Sequence, residues 1–397
     1  MLINKITGVK LSSSSSRTRY GIRDDSVMIE IPYGNSISCK FTSNAFKAEP
    51  VKYLMKNIQK AKGKKSLLLI NAGNANAGTG RQGKNDVEDY CNQISKISSI
   101  HKHFIYPFST GVIGERLDTN KIKRAFEQAY PKLSEKGWHK ASKAILTTDT
   151  KPKLLSKKIE FQKKTISITG FAKGSGMIKP DFATLLSFVF IDAKIDKRLL
   201  NKIHTEALSE SFERITVEGD TSPNDSSVLV ANGNEINKIK NNTQLERKLR
   251  NQIILLFKEL ADELIKDAEG ATKKIKVKVH SAKSLAQAKD VAFTIAHSTL
   301  VKTAIFGNDA NWGRILAAIG RSSLVNTIEK VSIKLNDAPL VKRGNIDPKH
   351  NEKNAHKELK KKNISIEVNL GAGKKSYEVL TSDLSEDYLL INSKYRT

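Results

Sequence analysis

Apolar and polar positions change their period several times along this chain, and each change predicts an element. "DDSVMIEIP" and "SISCKF" alternate over short runs and predict early strands, while "AEPVKYLMKNIQKAK" repeats its apolar residues at helical spacing. "SLLLI", Ser66 to Ile70, is a continuous apolar run that predicts a buried strand leading into "NAGNANAGTG". Farther on, "KIEFQKKTISITG" predicts a hairpin and "TLLSFVFI" a central strand. "DKRLLNKIHTEALSESFERI" predicts a helix capped by Asp196, with Leu199, Ile203 and Leu208 near one face. The longest predicted helix, "TQLERKLRNQIILLFKELADELIKDAEG", is stopped by Gly270. Beyond it "KIKVKV", "VSIKL" and "NISIEVNL" alternate as strands, with a helix in "AKSLAQAKDVAFTIAHS". Strands and helices mixed in this way imply a layered fold with sheet inside and helices outside. "RGNIDPKHNEKNAHKELKKKN" is the one linker-like stretch, expected to be a surface excursion with partial helix.

One junction resists a packing explanation. "MIKPDFATLLSFVF" runs from Met177 to Phe190, a turn with Pro180 and Asp181 giving way to a buried strand at Leu185, and Thr184 stands between them. The alternating strand and small residues of "TISITGFAKGSG" precede it, so a strained turn around Ala183 and Thr184 is expected. A hydroxyl nucleophile needs a base, and none is adjacent in sequence. If Thr184 attacked the Ala183 carbonyl, the peptide would become an ester that water splits, freeing an α-amine on Thr184. Such an amine has a pKa near 8 and can take the hydroxyl proton at neutral pH. The competing reading is a threonine that starts a strand. In "PFSTGVIGE", Ser109, Thr110 and Gly111 are expected to form a turn whose NH and hydroxyl groups could face one oxyanion, against the alternative of a simple turn.

Length and composition narrow the class. The 397 residues suffice for two or three domains or one large layered unit, and 39% hydrophobic with 6% aromatic residues suits a soluble globular protein. Neither a signal peptide nor a membrane span is expected, which points to the cytoplasm; Cys39 and Cys91 are too few for a disulfide framework. The formal net charge of +27 invites a nucleic-acid partner, but the lysines are scattered and not clustered with aromatics, so a solvated surface is the favoured reading.

Other motifs carry weaker chemistry. Gly78 to Asn85 has the glycine spacing of a phosphate-binding loop but ends in Asn where a magnesium-holding hydroxyl belongs. "HKH" at His101 to His103 lacks a partner for zinc. In "VEGDTSPNDSSVLVANG", Glu218, Asp220 and Asp225 could hold a cation, but a hydrogen-bonded loop near an active site is favoured. No metal or cofactor is expected.

"NAGNANAG", "STGVIGE", "LTTDT", "KGSGMIKPDFATLL", "EGDTSPND", "EGATK", "LVKTAIFGNDANWGRILAAIGR" and the terminal "INSKYRT" follow one another in the order and context of the ornithine acetyltransferase family, also called glutamate N-acetyltransferase, which the whole chain resembles. The resemblance implies an α+β fold of the N-terminal-nucleophile kind, a layered sandwich of two mixed sheets flanked by helices, and self-cleavage into an α chain, 1–183, and a β chain, 184–397, that share one intertwined fold. It implies Thr184 as nucleophile, Ala183 and Thr184 as the cleavage site, and Thr110 with Gly111 as the oxyanion pair. Implied substrate contacts are Thr150, Lys173, Thr184, Glu269, Asn392 and Thr397, with Thr150 chosen over Thr147 and Thr148 by its spacing to Thr184. A cationic Lys173 suits a substrate carboxylate and Glu269 a cationic amine.

The implied reaction is ping-pong acetyl transfer from N2-acetylornithine to glutamate, giving ornithine and N-acetylglutamate in arginine biosynthesis, with acetyl-CoA a further candidate donor. The implied assembly is a heterotetramer of two α and two β chains, without nucleic acid or membrane. Gly78 stands where the family usually has cysteine, and Asp181 and Phe182 replace the residues usual before the scissile bond. Two rivals remain at this stage: a self-activating aminopeptidase or amidohydrolase with the same nucleophile, and a nucleotide-binding protein using Gly78 to Lys84. The apolar pair Leu390 and Ile391 is expected to anchor the C-terminal tail on the core.

Overall fold

Period-two segments of the chain assemble into three mixed sheets. The computed structural model describes residues 3–60, 63–162, 164–179, 185–233 and 237–394. The first sheet has four strands in the order Lys10–Ser14, Ser26–Ile31, Ser66–Asn74 and Ile105–Val112, the last two parallel. A second sheet has five, in the order Ser36–Phe41, Ser226–Ala231, Leu186–Ile191, Lys164–Lys173 and Lys153–Phe161. Its central pair, Leu186–Ile191 with Ser226–Ala231, is parallel.

These two sheets pack face to face. Val27, Ile29, Leu68, Ile70 and Phe108 of the first meet Phe171, Phe188, Phe190 and Val228 of the second in one buried cluster. At its centre the rings of Phe108 and Phe188 meet edge to face, 5.1 Å between centroids and 87° between planes. The alternate residues point outward. Met28, Leu67 and Leu69 pack under the helices Gly80–Ser98 and Thr119–Ala129, and Ile168, Val189 and Leu229 under Lys197–Ser209 and Gln244–Lys266. Strands buried on both faces explain why "SLLLI" and "LSFVFI" are continuously apolar. The product is a helix, sheet, sheet, helix sandwich, the α+β architecture expected from the sequence.

A third, six-stranded sheet extends that expectation. "KIKVKV", "VSIKL" and "NISIEVNL" all belong to it, in the order Asn345–Ile346, Ala338–Lys342, Ser332–Leu335, Asn363–Asn369, Lys274–Ala282 and Lys375–Ser382. Val277, Val279, Ile366 and Val368 face the helices Leu285–Ala296, Thr299–Phe306 and Trp312–Gly320. The linker-like stretch contributes an edge strand and the helix Glu352–Leu359, whose Ala355 and Leu359 enter this core. Among the described residues no helix is long and apolar enough to cross a membrane.

Helix boundaries follow their side-chain caps. Asp196 accepts from the backbone N–H groups of Arg198 and Leu199, and Thr243 accepts from Glu246, each satisfying a donor that the first turn leaves open. The longest helix ends at Lys266, short of Gly270, because Asp267 leaves the helix to pair with the buried Lys153.

Candidate active site

Where the strand Ile105–Val112 meets the ends of the second sheet, a cavity of about 250 Å³ opens. It is smaller than the roughly 300–1,000 Å³ of clefts for drug-sized ligands and suits a small metabolite. Thr110 and Gly111 line it, still within the strand and not in the turn expected from the sequence. The strand continues because Gly111, at φ 129°, pairs with Gly73 on the neighbouring strand. A Cβ at Gly111 would stand 2.3 Å from the Gly73 carbonyl carbon, an approach that only glycine permits.

Lys173, at the end of its strand, reaches into the same space. Its Nζ donates to Thr110 Oγ1 at 3.1 Å and to Thr147 Oγ1 at 2.8 Å. Behind it lies Asp149, whose carboxylate is 3.8 Å from Lys173 Nζ, 2.5 Å from Lys153 Nζ, and accepts from the Gly174 N–H at 2.8 Å. Burial alone would raise the Asp149 carboxyl, but the charges of Lys173 and Lys153 hold it below the usual range. Burial pulls the Lys173 ammonium down, against the opposing pull of Asp149.

Thr150 lies elsewhere. Its backbone N–H donates to Asp267 at 3.1 Å, its hydroxyl donates to the same carboxylate, and it is not among the residues lining the cavity. Thr147 and Thr148 line it instead. The "TTDT" bend turns Asp149 inward toward two lysines, which swings Thr147 to one side and Thr150 to the other. Spacing along the sequence does not show that reversal.

Acidic groups line the opposite wall. Glu269 accepts from Asn392 Nδ2 at 2.9 Å, and Glu218 accepts from the Ile178 N–H at 3.0 Å. Burial, with the Glu269 charge adding to it, pushes the Glu218 carboxyl up to about 7. Asp225, also lining the cavity, is raised well above the ordinary range by burial, and its Oδ2 has no hydrogen-bond partner among the described residues. Its neighbour Asn224 donates to the carbonyls of Ala75 and Ser109, at 2.6 and 2.9 Å, tying the "NAGNANAG" segment and the strand Ile105–Val112 to the second sheet. From the sequence Glu218, Asp220 and Asp225 are expected in a hydrogen-bonded loop near an active site, and all three line this cavity.

Ala183, Thr184 and Thr397 lie outside the described residues, as do Asp181 and Phe182. Leu185, bonded to Thr184, lines the cavity, and its carbonyl accepts from the Ser226 N–H at 3.0 Å. The C-terminal helix Glu386–Lys394 presents Tyr388 and Asn392 to the cavity, four residues apart on one face. Leu390 does not anchor it: that side chain is 54% exposed and Ile391 half-buried, because the helix spends its inward face on those two polar residues.

The phosphate-loop spacing dissolves in the fold. Gly83 and Lys84 lie inside the helix Gly80–Ser98, and a Cβ on Gly83 would collide with Thr79 Oγ1 and Asn76 Oδ1, so this glycine serves close packing of the turn against its helix. Among the described residues no cluster of three or more His, Cys, Asp or Glu is arranged to hold a metal ion.

Residues 10–397 match the model of the ArgJ family. An arginine biosynthesis bifunctional protein ArgJ of Methylococcus capsulatus is 41% identical over 394 residues, covering 99% of this chain and 96% of that protein. The protein of the same name from Psychrobacter arcticus is 40% identical over 398 residues, 100% of this chain and 97% of its own length. A solved structure of arginine biosynthesis bifunctional protein argJ from Bacillus halodurans is 36% identical with a TM-score of 0.48, covering 51% of this chain and 96% of that one.

Proposed function

The chain belongs to the ArgJ family, and we propose that it is the arginine-biosynthetic glutamate N-acetyltransferase, moving acetyl from N2-acetylornithine to glutamate through an acetyl ester on Thr184. The observation that supports this reading is the bond from Lys173 to Thr110 in a cavity that Leu185, the residue after Thr184, also lines. An ammonium can only donate, so Thr110 Oγ1 accepts from it and the threonine's own proton is free to point at a developing oxyanion beside the Gly111 N–H.

In the first half-reaction Thr184 Oγ attacks the acetyl carbonyl, its proton passing to the α-amine of the same residue. Collapse of the tetrahedral intermediate expels the α-amine of ornithine, which takes that proton. Glutamate then attacks the ester through its α-amine, and Thr184 Oγ leaves as the hydroxyl. Glu269 with Asn392 would receive the substrate's distal group, and Lys173 its carboxylate. The family resemblance extends the proposal to acetyl-CoA as a second donor.

Maturation uses the same parts. Cleavage between Ala183 and Thr184 frees the amine, leaving segments 1–183 and 184–397 that assemble as two copies of each. Mixing the purified protein with N2-acetylornithine and glutamate should give ornithine and N-acetylglutamate in equal amounts. Free acetate in their place would make the protein a hydrolase and defeat the reading.

A further inference from the structure

The cavity must serve two substrates whose distal groups carry opposite charge, an ammonium on ornithine and a carboxylate on glutamate. A fixed set of charges favours one and repels the other. The acidic wall supplies a group able to change its charge.

Glu218 and Glu269 are placed side by side by two independent supports. Along the segment after Lys173, Gly176 packs so tightly on Glu269 that a Cβ there would stand 2.4 Å from Oε2, and two residues later the Ile178 N–H binds Glu218. From the other side, the C-terminal helix meets the same region: Asn392 donates to Glu269 at 2.9 Å, and Tyr388, one turn earlier, lines the cavity with Glu218. Both carboxylates line this one cavity, and the Glu269 charge acts on Glu218.

We infer that Glu218 is a proton switch for the substrate's distal group, ionised when ornithine's ammonium lies between it and Glu269, and protonated when it must donate a hydrogen bond to the γ-carboxylate of glutamate. This inference rests on the acetyl-transfer reading above. Two neighbouring carboxylates in a confined site share a proton readily, since the second negative charge is unfavourable until a cation arrives. The position of Glu218 close to neutrality agrees with this role.

The surroundings set the range over which the switch acts. The Lys302 charge pulls Glu218 down against its burial, and Lys302 is itself lowered to about 8 by burial while its Nζ donates to the Val217 carbonyl and lies 3.5 Å from Thr381 Oγ1. His297, packed on Gly219, hydrogen-bonds Thr216 at 2.9 Å and is pushed down to about 4 by burial, so it is neutral where Glu218 titrates. Asp220 also lines the cavity and adds negative charge, the Lys179 charge acts on His297, and burial raises the Tyr388 phenol.

Proton linkage tests the switch in the unaltered enzyme. Calorimetry near pH 7, in buffers of differing ionisation enthalpy, should show proton release when ornithine binds and proton uptake when glutamate binds. No proton exchange with either ligand would overturn the inference, whatever the fate of the variant. Glu218→Gln, a permanent neutral donor, should raise the KM for N2-acetylornithine about tenfold or more, the scale of a lost charge-assisted hydrogen bond. It should also flatten the opposing pH trends of the two KM values, which in wild type have acetylornithine binding weaken and glutamate binding strengthen below pH 7. Unchanged trends in the folded variant would overturn the inference. Absence of an acetyl adduct on wild-type protein mixed with N2-acetylornithine would overturn the acetyl-transfer reading itself, and the switch with it.

Discussion

The ammonium of Lys173 lies 3.1 Å from the hydroxyl oxygen of Thr110, and this contact fixes which way the threonine proton can point. Lysine has no acceptor, so the hydroxyl accepts from it and donates elsewhere, toward the cavity that both residues line. Polarised by the ammonium, the hydroxyl is also a stronger donor.

Thr110→Ala should therefore slow acetyl transfer and the cut between Ala183 and Thr184 together, each by about 100-fold or more, the usual effect of removing one oxyanion donor. Thr110→Ser should recover most of both rates. Single-turnover transfer and the time course of band splitting on denaturing gels measure the two. A Thr110→Ala enzyme of normal rate would return the residue to a purely structural place.

The charge on Lys173 should give the rate an alkaline limb. Burial depresses its folded pKa, so the ammonium is lost as pH rises through a value below its ordinary 10.5, and oxyanion stabilisation goes with it. Thr147→Val removes an acceptor that favours the charged form, so the limb of kcat/KM should move to lower pH in that variant. A limb that stays in place would show that the titrating group is not Lys173.

Asp149 neutralises two buried lysines, and its side chain is fully shielded from solvent. Replacing it with Asn leaves Lys153 with Asp267 as its one ion-pair partner among the described residues and removes the carboxylate beside Lys173, with an expected loss of about 3–5 kcal/mol in urea unfolding. Because the folded carboxyl is held below its ordinary 3.8, the stabilisation is complete above that pH and is lost as pH falls through the folded value. Equal stability of wild type and Asp149→Asn at pH 7 would show that the pair contributes nothing net.

Among the described residues Asn392 hydrogen-bonds Glu269 and the Tyr388 carbonyl and not the strand that carries Thr110. Asn392→Ala should therefore raise the KM for N2-acetylornithine several-fold and leave the cut at residue 184 at its normal rate. Slowed cutting would mean that the terminal helix supports the junction as well as the substrate.

Much of this arrangement was legible in the sequence, for physical reasons. Alternation in "KIKVKV" and unbroken apolarity in "LSFVFI" report whether one or both faces of a strand are covered, so strand positions followed from pattern. Asp196 declared a helix start because a cap is a local bond. What pattern could not show was the pairing of residues distant along the chain. Gly73 lies against Gly111 and converts an expected turn into continuing strand, and Asp267 reaches Lys153 and ends a helix early. Thr147 and Thr150 differ by three positions yet point to different partners, because the intervening Asp149 is drawn inward by lysines on two strands.

The second sheet interleaves strands from both sides of residue 184, with Lys164–Lys173 bonded along Leu186–Ile191 and Ser36–Phe41 along Ser226–Ala231. While the chain is whole, these pairings close as unimolecular steps. Once cut, the same sheet can be lost only by parting two molecules, and regained only by their encounter. Maturation would then give the protein a memory of its own history: a cut molecule that unfolds in dilute solution faces a concentration-dependent search that the newly made chain never met. Its durability would rest on a slow rate of opening more than on an equilibrium.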